Sequence, residues 1–101
     1  MLPFDFRPVT ATPITFVAFV VSLTRTAAVH FGDVPDAATG ARGEPNLAAA
    51  QQIIDILTLL ETKTRGNLTV EERRLLEGTL EELRARYLRA AQDPSSRTIL
   101  P

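Results

Sequence analysis

The stretch TPITFVAFVVSLTRTAAVHFG, residues 12–32, decides the fold. Its ends carry the punctuation of one helix. Thr12 or Thr15 can accept an amide hydrogen bond at the start, Pro13 suits the first turn, and Gly32 ends the run. Phe16, Val20, Leu23, Ala27 and His30 or Phe31 recur on one helical face, and Val17, Val21, Ala28 and Phe31 on a second. Phe19 widens the apolar arc, leaving Ser22, Thr24, Arg25 and Thr26 as a thin polar side. A helix that is apolar on more than one side must be the centre of a helical core or meet another chain. The segment therefore speaks about architecture and association, and not about a reaction.

Outward from this helix the chain reads as two further helices. Residues 33–45, DVPDAATGARGEP, have no period; a connection this long either wraps the bundle or is mobile. Asn46 caps a second helix running to about Arg65, with Ala50, Ile53, Leu57 and Leu60 on one face and Ile54, Ile56 and Leu59 on a second flank. Gly66 stops it. Thr69 and Glu72 form a capping box that opens a third helix, and Leu76, Leu80, Leu83 and Tyr87 make its seam, broadened by Leu75 and Leu88. Acidic Glu71, Glu72 and Glu77 come early and basic Arg84, Arg86 and Arg89 late, matching the helix dipole. Glu82 and Arg86 are spaced for a surface pair. The third helix should stop near Asp93 and Pro94.

The predicted fold class is all-α: a three-helix domain in which helices 2 and 3 form an antiparallel hairpin, and a strongly apolar helix 1 packs across it. Residues 1–12, with Phe4 and Phe6 between Pro3 and Pro8, read as an extended or disordered arm. Residues 13–92 read as the single helical domain, and 93–101 as a disordered tail.

Composition narrows the function classes. The 101 residues suit one domain, and a net charge of −1 gives no field that would draw the chain onto nucleic acid or an anionic membrane. With no cysteine, the chain has no disulfide, thiolate metal site or cysteine nucleophile, which fits a reducing cytoplasm. Ile14–Leu23 is almost wholly apolar, but Arg25 and His30 interrupt the run before it reaches the length of a membrane span. Asp5 and Pro3 spoil the basic start of a signal peptide. The expectation is a cytoplasmic protein without membrane insertion.

Candidate chemistry is thin. His30 is the only histidine, and Asp33 and Asp36 follow it in one loop. Asp55 sits amid isoleucines and is expected to be partly buried, bonded to a helix end, Arg25 or His30. Together these four make a weak polar site for a small-molecule or metal-dependent enzyme. A catalytic zinc site usually has three protein ligands, often more than one histidine, and a histidine in a last helical turn is favoured by the dipole alone. No cofactor is expected. Lys63, Thr64, Gly66 and Asn67 superficially resemble a phosphate-binding turn but lack the strand and the order of a P-loop. Arg84, Arg86 and Arg89 are few, and Glu81 and Glu82 balance them, so nucleic-acid binding is not expected.

Several motifs are familiar in combination. They are Ser22–Leu23, His30–Gly32, Asp33, Pro35–Asp36, Ile54–Asp55 with Leu57, Lys63–Thr64 and the Gly66–Thr69 turn. Over about residues 13–88 the chain resembles the bacterial family DUF1844, a domain of unknown function. The resemblance implies a small, soluble, helical protein and implies no activity.

The leading functional expectation is a non-enzymatic assembly or interaction module. It would be a homo-oligomer, dimer or larger, or would take an unidentified protein partner. Phe16, Phe19, Val20 and Leu23 are the residues expected between chains. The alternative is the enzyme built on His30, Asp33, Asp36 and Asp55.

Overall fold

Each helix begins where a side chain satisfies an orphan amide. Thr15 has extended backbone, and its hydroxyl accepts from the Ala18 amide at 3.0 Å, so the first helix starts at Phe16. Pro13 precedes this helix and is not part of its first turn. Asn46 caps the second helix by accepting from the Ala49 amide at 3.0 Å. The expected capping box opens the third: the Glu72 amide donates to Thr69 Oγ1 at 3.0 Å, and the Thr69 amide donates to Glu72 Oε1 at 2.9 Å.

The computed structural model describes residues 13–92, and these form α1 (Phe16–Phe31), α2 (Leu47–Lys63) and α3 (Val70–Gln92). The arm expected over 1–12 and the tail expected over 93–101 lie outside the described residues. α2 ends two residues short of Arg65. The Thr64 amide donates to the Leu60 carbonyl at 2.9 Å, the Asn67 amide donates to Thr64 at 2.8 Å, and Gly66 turns the chain with a φ of 88°. α1 ends in a Schellman motif. The Gly32 amide bonds back to the Val29 carbonyl and the Asp33 amide to the Ala28 carbonyl, both at 2.9 Å. Gly32 has a φ of 80°, and a Cβ there would lie 3.2 Å from the Gly43 carbonyl oxygen, so both conformation and space call for glycine.

The long loop wraps the end of the bundle. The Asn46 amide donates to the His30 carbonyl at 2.7 Å, returning the chain to the end of α1 and launching α2 alongside it. The tight turn after Lys63 then sends α3 back along α2, so α1 and α3 run the same way and α2 runs against both. One core fills the space between the three helices. α1 contributes Val20, Ala27 and Phe31; α2 contributes Ala50, Ile53, Ile54 and Leu57; α3 contributes Leu76, Leu80, Leu83 and Ala90. Phe16, Leu23, Leu60, Leu75 and Tyr87 pack against its margin.

The second flank expected on α2 is only partly used. Ile54 is buried, whereas Ile56 and Leu59 are 41% and 58% exposed. Leu88 of α3 is likewise exposed. Successive residues step about 100° around a helix, so neighbours of a fully buried Leu57 fall outside the arc that two other helices cover.

Two substitutions test this account by chemical denaturation. Leu57→Ala removes a wholly enclosed side chain at the centre of the core and should cost about 2–5 kcal/mol. Thr69→Ala removes one arm of the capping box and should cost about 1 kcal/mol.

Candidate interaction surface

α1 is incompletely covered by its own chain. Ile14, just before the helix, is 84% exposed, and Val17, Phe19 and Val21 are 43%, 41% and 45% exposed. Val21 and Phe19 are two positions apart, which places them about 200° apart around the axis, on opposite flanks. Apolar surface is therefore open on both sides of the buried stripe of Val20, Ala27 and Phe31.

The four residues expected between chains are placed unequally. Phe19 is exposed. Phe16 and Leu23 are half-buried against the core margin. Val20 is fully enclosed by the three helices, with no surface left over in the folded chain.

On the flank that carries Val21, α1 and α3 leave an open groove of about 630 Å³. Val21, Thr24 and Ala28 form one wall, Leu75 and Thr79 the other, and Val34 and Pro35 from the loop close one end. The lining is mainly apolar, but it carries one charge of each sign: Arg25 on α1 and Glu82 on α3. This groove is not legible in the sequence. Val34 and Pro35 sit in a stretch without period, and only the folded loop brings them beside α3.

The four polar candidates do not all come together. His30 and Asp36 line one open pocket beside Glu44. Asp36 uses its carboxylate locally, accepting from the Ala38 amide at 2.7 Å to shape its own turn. Asp33 faces α3 instead. Asp55 is exposed on α2, where its carboxylate accepts from Gln51 Nε2 at 2.8 Å; the expectation of a partly buried Asp55 bonded to Arg25, His30 or a helix end is corrected. An acidic residue among isoleucines looks enclosed in one dimension, yet it projects about 160° from the buried Leu57 direction. Among the described residues, no three His, Asp or Glu side chains gather closely enough to hold a metal ion. The convergence that the enzyme reading required is absent.

Asp33 takes part in a polar contact that crosses the fold. Arg86 donates to it through two nitrogens, Nε to Oδ2 at 2.9 Å and Nη2 to Oδ1 at 2.7 Å. The same guanidinium lies over the Phe31 ring, 4.8 Å from its centroid. This fork joins the end of α1 and the start of the loop to α3. Arg86 thus has a long-range partner, which its spacing from Glu82 did not indicate. Arg84 also reaches across helices, donating from Nη2 to Thr58 Oγ1 at 3.0 Å. Two of the three arginines weighed for nucleic-acid contact are therefore tied to their own chain.

The hydrogen bonds from Arg86 hold the Asp33 carboxyl below its ordinary value of 3.8, and the positive charges of Arg86, Arg42 and Arg89 add to that; partial burial opposes it. A carboxyl depressed in the folded state stabilises the fold above its unfolded pKa, and that contribution disappears as pH falls through the folded value. Asp33 is 42% exposed at the side chain, so solvent screening keeps the pair small. Asp33→Asn should cost less than about 1 kcal/mol at pH 7, and the difference from wild type should shrink as pH falls from 3.8 through the lower folded-state value, read from denaturation midpoints across pH.

Among the described residues, no helix is long and apolar enough to cross a membrane. No curated protein and no solved structure matches the chain. The model of one family, a domain of unknown function (DUF1844), matches residues 13–89. With the match covering α1, α2 and α3 as far as residue 89, the chain belongs to the DUF1844 family.

Proposed function

We propose that this protein is a non-enzymatic assembly module that works as a homo-oligomer built through α1. One observation carries the reading: Val17, Phe19 and Val21, all on α1, remain more than two-fifths exposed after its own two partner helices have packed. Single exposed apolar residues are ordinary, but several on one helix beside an apolar groove mark an association surface. Fully burying a large apolar side chain is worth about 1.5–3 kcal/mol, so a half-exposed one holds about 1 kcal/mol in reserve, counted once per copy.

The charge pattern supports a protein partner over nucleic acid. Net charge is −1, and Arg84 and Arg86 already engage Thr58 and Asp33. The absence of cysteine suits a reducing compartment, and the reading places the assembly in the cytoplasm. His30, Asp33, Asp36 and Asp55 serve the fold in this account: Asp33 clasps α3, Asp36 shapes its turn, and Asp55 pairs along α2.

Sedimentation equilibrium of the full chain at micromolar concentration should give a mass of at least two chains. A Phe19→Asp, Val21→Asp double variant, which places a charge on each flank of α1, should lower that mass while helical circular dichroism is retained. A wild-type chain that sediments as a stable folded monomer would overturn the reading.

A further inference from the structure

The groove between α1 and α3 is suited to a second copy of the same chain, bound about a two-fold axis. This contact rests on the assembly reading above and lies on the Val21 flank of α1. α1 and α3 run in the same direction, and the Asp33–Arg86 fork fixes their relative height. Counting back from that fork puts Ala28, five residues before Asp33, within about 1.5 Å of the height of Glu82, four residues before Arg86. Arg25 then lies about 4.5 Å lower along the same groove. Opposite charges thus stand on opposite walls, separated by about one turn along the axis.

That arrangement is self-complementary. A two-fold axis through the groove, midway between the two heights, reverses the order of charges on the incoming copy. Arg25 then faces the partner's Glu82, and Glu82 faces the partner's Arg25, because an isologous contact pairs each residue reciprocally. Thr24 and Ala28 line the α1 wall, and their small side chains let the partner's α3 approach closely. Val21, 45% exposed in one copy, lies about one and a half turns from the axis, where the same rotation brings it to the partner's Val34 and Pro35 at the closed end of the groove. We propose that this groove is the two-fold dimer contact, with the Arg25–Glu82 pairs setting its register and Val21 supplying apolar burial.

The test is a charge exchange in the full chain, read by sedimentation across concentration. Arg25 and Glu82 are both exposed, so substitution there leaves the core intact, which circular dichroism checks. Arg25→Glu alone, or Glu82→Arg alone, sets like charges together at two symmetry-related places and should weaken dimerisation by about tenfold or more. The double variant restores opposite charges and should recover affinity to within about threefold of wild type. A dimer that ignores both single changes, or single changes that the double variant fails to rescue, overturns this contact while leaving assembly through α1 standing. A wild-type monomer at high micromolar concentration overturns both readings.

Discussion

A helix packed against two neighbours can hide one arc of its circumference and no more. Everything in this fold follows from how the three apolar stripes divide that limited shelter. α3 has a narrow seam, and Leu76, Leu80 and Leu83 disappear completely or nearly so. α2 is wider than its shelter, so Leu57 is enclosed while Ile56 and Leu59 stay exposed. α1 is wider still, with Val20 fully enclosed and apolar neighbours open on both sides. The surplus is geometric: no rotation of α1 hides Val21 without exposing residues that are now buried.

The orientation of that surplus is set by polar contacts at one end of the bundle. The Schellman turn at Gly32 stops α1 and aims Asp33 at α3. Arg86 then grips Asp33 with two hydrogen bonds and covers Phe31, joining a charge pair to the edge of the core. The His30 carbonyl receives the Asn46 amide and closes the loop. With both ends of the loop held, Val34 and Pro35 are brought to the mouth of the α1–α3 groove. A partly exposed ion pair adds little free energy. Its consequence here is positional, because it fixes the height of α3 against α1 and with it the heights of Glu82 and Arg25.

How much could be read in advance depended on whether the determining interaction was local. The helix starts at Asn46 and Thr69 and the stop at Gly32 were legible, because a cap bonds to amides or carbonyls within a few residues of itself. The apolar seam of α3 was legible from spacing alone. Asp55 was misread because isoleucines adjacent in sequence point in different directions on a helix. The partner of Arg86 was also missed, since 53 residues separate it from Asp33 and no periodicity spans that distance. Among the residues expected between chains, the spacing did not separate enclosed Val20 from exposed Phe19.

The amino-acid order alone therefore determined that there are three helices, where they are capped, and that the first carries more apolar surface than the others. These are consequences of hydrogen bonds and periodicities a few residues in range. Only the tertiary structure decided which part of that apolar surface stays open, which carboxylate clasps α3, and that Arg25 and Glu82 share one groove. Those outcomes depend on how far each helix is rotated and shifted against its neighbours, and that is set jointly by packing between segments distant in the chain.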